Sequence, residues 1–227
     1  YLRGSNRSSY WEAVIGGFRI LGTLAILCGN PIVEELSAFS TNNPTESLAM
    51  TTYYLYHKTP IGTVLLAGNG DHLKLLGFPQ GAMARRHQNG WKEDSKPFKE
   101  VEYQLDNYFA GKLRVFDLPL ELTGTKFQQT VWNELNEIPY GETWSYGELA
   151  RSIGRPKASR AVGGANGLNP IPVIIPCHRV VGSNGKLTGF GGGIKTKEYL
   201  LKLEKEVITG IVGATFRTRY KRDLHEE

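Results

Sequence analysis

From residue 51 the order of apolar and polar positions reads as paired strands. The stretch "TTYYLYHKTPIGTVLLAG" is rich in β-formers and is broken at Pro60-Ile61-Gly62, and "HLKLLGF" follows the turn signal Asn69-Gly70-Asp71. A small antiparallel sheet is predicted. Past a polar stretch, Phe98, Val101, Leu105 and Phe109 recur at helical spacing through residues 97–109 and stop at Ala110-Gly111, which predicts a helix that covers the sheet. "VFDLPLELTGT" supplies one more extended segment and a boundary near residues 123–125.

Beyond that boundary the pattern turns helical, with short loops. Thr125 can cap a helix whose apolar face is Phe127, Val131, Trp132 and Leu135, ended by Pro139 and Gly141. In "TWSYGELARSIG", Ser145 precedes Glu148 at the spacing of a capping box and Gly154 marks the stop. A second short helix, residues 157–166, follows after only Arg155 and Pro156, and two helices joined so tightly predict a helix-turn-helix. That second helix, "KASRAVGGANG", offers Ala161, Gly163, Gly164 and Ala165 for close approach to another surface, with Lys157 and Arg160 for phosphates or for insertion between bases. Tight packing against the neighbouring core would use the same small residues. Next, "IPVIIP", residues 171–176, is an apolar run between prolines that predicts a buried strand ending at Cys177.

The first 49 residues differ from the rest. An apolar run over residues 13–29 contains Arg19 and is shorter than the roughly 20 residues of a membrane span, so a fragment, fusion remnant or over-extended reading frame is expected there, with the working protein starting near Met50. Composition then narrows the class. With 40% hydrophobic and 22% charged residues in 227, the chain should fold as a globular protein, and a formal charge of +5 suits a polyanion without requiring one. Cys28 and Cys177 are far apart and outside any CxxC, which excludes a disulfide framework and a cysteine metal cluster.

In "IIPCHRVV" one thiol stands directly before His178 and Arg179. A free thiol is only a few per cent ionised at neutral pH, and a nearby imidazole or guanidinium raises that fraction, so both neighbours are candidate activators. Two readings stay open at this level: a held, ionised nucleophile, or an inert core cysteine beside a structural histidine. A cysteine protease or acyltransferase fits poorly, because its base comes from a distant part of the chain, and His57, His72, His87 and His225 stand in no catalytic context.

The run "NPIPVIIPCHRVVGSNGKLTGFGGGIKTKEYLLKLE", with "SYGELA" and "SRAVGGANG" before it, closely resembles the O6-alkylguanine-DNA alkyltransferases over residues 50–207. The resemblance implies an α+β chain: an N-terminal small antiparallel sheet with a covering helix (ribonuclease H-like), then an all-helical helix-turn-helix, winged-helix-like active-site domain. It divides the sequence into an extension at 1–49, an α/β domain at 50–123, a DNA-binding and alkyl-acceptor domain at 124–207 and a tail at 208–227. The tail's "RTRYKR" reads as a solvated end, with phosphate contact as the alternative.

The same resemblance implies repair of double-stranded DNA by irreversible, single-use transfer of an alkyl group from O6-alkylguanine, and from O4-alkylthymine, to Cys177. His178 would take the thiol proton through a water held by Glu204, which stands one turn beyond Leu200 and beside Leu203 at the border of the apolar face and is expected to be partly buried, with a solvated surface carboxylate as the alternative. Tyr146 would donate to the departing base, or merely pack, and Asn169 would be a hinge, or an ordinary Asn-Pro turn residue. Arg160 would fill the gap left by the flipped base from a helix in the minor groove, with Lys157, Ser145, Ala161 and Gly163 on the same DNA-facing surface. Tyr146, Val180, Phe190 and Gly191 would line the base pocket, where Phe190 stands in place of a tyrosine and Gly191 in place of a serine or alanine in some members. Any hydrogen bond to O6 would then come from a backbone N–H. The sulfur is expected to be kept ionised. No cofactor, metal or membrane is expected, and the protein should act as a monomer in the cytoplasm, at the nucleoid of a bacterium, or in a eukaryotic nucleus. The alternatives are a non-catalytic alkyltransferase-like lesion binder, which Cys177 argues against, and a helix-turn-helix regulator with an incidental thiol.

Overall fold

The computed structural model describes residues 9–15, 18–24, 51–78, 80–81 and 84–210. The expectations for the 1–49 extension and the 208–227 tail therefore lie largely outside the described residues. Within the extension, β1 (Ser9–Ile15) and β2 (Phe18–Leu24) pair antiparallel inside a unit of their own, residues 1–47. No helix among the described residues is long and apolar enough to cross a membrane.

The second unit begins at Leu48. β3 (Tyr53–Thr59), β4 (Gly62–Gly68) and β5 (Leu73–Gly77) form the predicted antiparallel meander, to which β6 (Lys92–Glu93) adds a short edge strand parallel to β3. The sheet is thus mixed at one edge, because β6 arrives after a loop crossover instead of a hairpin. β4 is the central strand of the meander and is apolar on both faces from Val64 to Ala67, all of them buried. α1 (Lys99–Phe109) lays Val101, Leu105, Tyr108 and Phe109 into the core. Each such side chain contributes about 1.5–3 kcal/mol by leaving water. The last extended segment forms no strand of its own; only Leu120 bridges to Leu73.

Both expected helix caps are present. Thr125 accepts from Gln128 N to open α2 (Lys126–Leu135), and the Gln128 side chain accepts in return from Thr125 N. After β7 (Trp144–Ser145), Ser145 and Glu148 make the same reciprocal pair at the start of α3 (Tyr146–Ser152). α4 (Ser159–Gly167) begins two residues later than its charge pattern predicts, which leaves Lys157 in the turn before it. Trp132 of α2 is buried and donates its indole N–H to Ala165 O at 2.8 Å, pinning α2 to α4. The half is not all-helical: β8 (Val180–Val181) pairs parallel with β7 and ties the segment after Cys177 to the start of α3. α5 (Ile194–Ile208) closes the fold. One cluster of buried residues runs through both halves, from Val64 and Leu105 to Val162, Leu200 and Val207.

The predicted strand at 171–176 does not form. The segment is buried throughout but coiled, because its prolines offer no N–H to a ladder and Val173 adopts φ +76°, a conformation costly for a β-branched residue. Asn169 imposes it: Ile171 N donates to Asn169 Oδ1 at 3.0 Å, and Asn169 Nδ2 donates to Ile175 O at 2.8 Å. An apolar run between prolines has the composition of a buried strand, and only the missing donors separate the two.

Candidate active site

The turn clamped by Asn169 delivers Cys177 to the first position of a single 3-10 turn, Cys177–Arg179. The sulfur-bearing residue is 4% exposed and borders a narrow cleft of about 20 Å³, with Asn166, Asn169, Phe190 and Gly191 among the walls. That volume holds one water. Burial pushes the Cys177 thiol up to about 11, against the opposing pull of the Asn169 hydrogen bond and the Lys197 charge. This corrects the expectation of an ionised sulfur. Neither neighbour acts on it as a cation: Arg179 is engaged with Glu204, and burial holds the His178 imidazole below its ordinary value despite Glu204, so the ring is neutral at pH 7.

Behind the thiol lies a polar hub centred on Glu204, which is fully buried on α5. His178 Nε2 donates to Glu204 Oε1 at 2.8 Å; Tyr108 Oη donates to the same oxygen at 2.8 Å; Arg179 donates from Nη2 to Oε1 and from Nε to Oε2, both at 3.0 Å; and Gly141 N donates to Oε2 at 2.9 Å. Gly141 sits at φ +78°, a conformation that other residues adopt at a cost, which favours glycine where this N–H reaches the carboxylate. Burial alone would raise the Glu204 carboxyl, but the His178 and Arg179 hydrogen bonds and the Arg179 charge outweigh it and hold the group below the ordinary carboxylate range. Because His178 is neutral, the compensating charge is that of Arg179, whose guanidinium also lies 5.4 Å from the Tyr140 ring centroid.

Glu204 therefore contacts His178 directly, and its oxygens are occupied by protein donors, where the resemblance implied a carboxylate holding a water. An ionised Glu204 fixes the proton of His178 on Nε2 and leaves Nδ1 as a lone-pair acceptor. Nδ1 is buried and has no hydrogen-bond partner among the described residues.

The other predicted residues divide into two groups. Phe190 and Gly191 border the cleft, with Phe190 set 5.4 Å from Phe78 of the sheet domain. Gly192 beside them makes this contact possible, since a Cβ there would meet the Phe78 ring at 2.9 Å. Tyr146 and Val180 do not border it. Val180 is fully buried in the core, and Tyr146 is half-buried, its hydroxyl accepting from Thr188 Oγ1 at 3.3 Å with Gly163 packed against its ring. Arg160, Ala161 and Gly164 are exposed on α4, whereas Ala165 faces inward, so the small residues of that helix serve both an open face and tight packing.

Tyr108, Gly141, Asn166 and Lys197 are functional candidates absent from the sequence reading. Lys197 is fully buried and donates Nζ to Val180 O and, at 3.0 Å, to Thr188 O, joining the Cys177 segment to the loop that walls the cleft. Burial draws its ammonium down to about 8, opposed by Cys177. A signal existed: Lys197 occupies an apolar position in the helical stripe it shares with Leu200, Leu203, Glu204 and Val207. Among the described residues no group of three or more His, Cys, Asp or Glu is placed to hold a metal.

Comparison with known proteins bears on this geometry. A family model for the DNA binding domain of 6-O-methylguanine DNA methyltransferase matches residues 126–206, and one for its ribonuclease-like domain matches residues 52–122. The chain is 54% identical over 152 residues to the methylated-DNA--protein-cysteine methyltransferase of Methanosarcina acetivorans, covering 67% of this chain and 97% of that protein. It is 52% identical over 155 residues to the protein of that name from Mycobacterium tuberculosis, covering 67% and 92%. The crystal structure of Mycobacterium tuberculosis OGT in complex with DNA superposes with a TM-score of 0.64 at 50% identity, over 69% of this chain and 94% of that one. With both domain models matched and relatives more than half identical along nearly their whole length, the chain belongs to the 6-O-methylguanine DNA methyltransferase family.

Proposed function

We propose that this chain repairs double-stranded DNA by moving the alkyl group of O6-alkylguanine, and of O4-alkylthymine, irreversibly onto Cys177. The observation that carries the reading is the buried Cys177 backed by a neutral His178 whose free nitrogen is set by Glu204. The resting thiol is protonated, so activation must accompany substrate entry. His178 Nδ1 takes the thiol proton, directly or through one water; the sulfur then attacks the alkyl carbon as the carbon–O6 bond breaks, and the electron pair leaves with the base. Tyr146 hands a proton to the leaving purine and recovers the one His178 took by way of solvent, so the thiol proton in effect ends on the base, which remains in the DNA as ordinary guanine. A thioether does not hydrolyse, so each molecule acts once and needs no cofactor.

A cleft of about 20 Å³ cannot admit a purine. Entry of a flipped base requires the loop bearing Phe190 and Gly191 to move off Phe78, and extrusion of that base falls to exposed Arg160 on α4, with Lys157 and Ser145 beside it and Ala161 and Gly163 permitting close approach. We further divide the chain into an extension (1–49), an α/β domain (50–123), a DNA-binding and alkyl-acceptor domain (124–207) and a tail (208–227). Its place of work is where the DNA is: the cytoplasm of a bacterium at the nucleoid, or a eukaryotic nucleus.

Incubation with duplex carrying radiolabelled O6-methylguanine, followed by mass analysis, should show one methyl group on Cys177 and none in Cys177→Ala; label that never reaches protein overturns the reading. Arg160→Ala should lose more activity on duplex than on free O6-benzylguanine, because only the duplex requires extrusion. Equal losses would remove the extrusion role from Arg160.

A further inference from the structure

Tyr108 is fully buried on α1, in the part of the chain matched by the ribonuclease-like model, whereas His178 and Glu204 lie in the part matched by the DNA binding model. Its ring is wedged among Phe109, Phe116 and Tyr140, with centroids 5.3, 5.2 and 6.1 Å away, so packing fixes where the hydroxyl points. That hydroxyl donates to Glu204 Oε1 at 2.8 Å, the same oxygen that accepts from His178 Nε2 at 2.8 Å. Burial and the charge of Glu204 hold the phenol well above its ordinary value, so it stays a neutral donor at any working pH.

The His178 ring is balanced between opposing influences. Burial opposes an imidazolium, Glu204 of α5 favours it, and the adjacent Arg179 and Lys197 of α5 oppose it. Glu204 in turn is faced by Arg179, by Tyr108 of α1 and by Tyr140 ahead of β7. Two donors that share one oxygen compete for its electron density, so the hold of Glu204 on an imidazolium is weaker with Tyr108 present than without it. Resting on the alkyl-transfer reading above, we propose that Tyr108 is a positioning residue for His178. By occupying part of Glu204 Oε1 it steadies the carboxylate yet limits its grip on the ring, which stays free to take the thiol proton at neutral pH. The sheet domain is thereby part of the proton-accepting machinery.

Tyr108→Phe keeps the packed ring and leaves Glu204 its bonds to His178, Arg179 and Gly141, so it tests the hydroxyl by itself. Single-turnover methyl transfer from O6-methylguanine duplex is followed from about pH 5 to about pH 9 in both proteins. The acid limb of the variant should lie about one unit higher, a lag of up to about tenfold at its foot that closes as pH rises. Nitrogen-15 resonances of the His178 ring, titrated in the same two proteins, should move upward together with the limb. Tyr140→Phe is the control: it removes a buried hydroxyl from the ring beside Arg179, one with no hydrogen-bond partner among the described residues, and should leave the limb in place. Slowing at every pH with the limb unmoved marks a purely structural Tyr108 and overturns the proposal. So does an equal shift from Tyr140→Phe, or ring titrations that coincide. Failure of the underlying reading looks different: no methyl group reaches Cys177 at any pH, while the ring titrations still report what Tyr108 does to His178.

Discussion

Among the described residues two histidine–carboxylate contacts share a length of 2.8 Å, and they have little else in common. In the sheet domain, His57 Nε2 lies 2.8 Å from Asp106 Oδ1, with Glu102 3.4 Å from the other ring nitrogen, and the Asp106 side chain is 63% exposed. In the active site, His178 Nε2 lies 2.8 Å from Glu204 Oε1, and neither side chain reaches solvent. Water sets the difference. An exposed pair exchanges one set of hydrogen bonds for another and is worth about 0–1 kcal/mol. A buried carboxylate has no water to fall back on and must be met by protein donors, which here come from Tyr108, Gly141, His178 and Arg179. The second histidine takes a fixed tautomer from that carboxylate and a neutral ring from its burial, the two properties a proton acceptor needs.

That contrast can be broken by substitution. Glu204→Ala leaves the Arg179 guanidinium buried without its counter-ion and should lower stability by about 3–5 kcal/mol, read as a drop in the denaturation midpoint, with transfer to Cys177 falling as well. A midpoint that stays put would mean the hub is not held by charge. Acid titration sharpens the same point. The folded Glu204 carboxyl titrates below its ordinary 4.5, so its contribution is complete above pH 4.5 and drains away as pH falls through the lower folded value. Each unit of that shift is worth about 1.36 kcal/mol, and the stability gap between the unaltered protein and Glu204→Gln should narrow as pH falls below 4.5. The smallest effect belongs to the exposed pair: Asp106→Asn should change neutral-pH stability by less than about 1 kcal/mol and leave transfer intact. A larger loss would erase the distinction drawn here.

Much of the frame could be read along the chain because its causes are local. Thr125 with Gln128 and Ser145 with Glu148 are contacts three residues apart, so the helix starts follow from spacing alone. Cys177, His178 and Arg179 are contiguous and announced a site. The errors fell where composition was ambiguous: residues 171–176 are as apolar as a strand, and the departure rests on prolines, on Val173 and on an asparagine two residues upstream. β6, β7 and β8 were missed because a two-residue strand has no periodicity to detect.

The sequence by itself determined the order of the elements, their caps, the placement of a nucleophile beside an imidazole and the family the chain belongs to, since these depend on neighbours in the chain and on motifs that keep their spacing. Tertiary structure alone decided the charge states. It buried Cys177 and so raised the thiol further from ionisation, brought Tyr108 to Glu204 across 96 positions, engaged Arg179 with Glu204 and enclosed Lys197. Ionisation depends on solvent exclusion and on which charges lie within a few ångströms, and neither quantity is written in residue order.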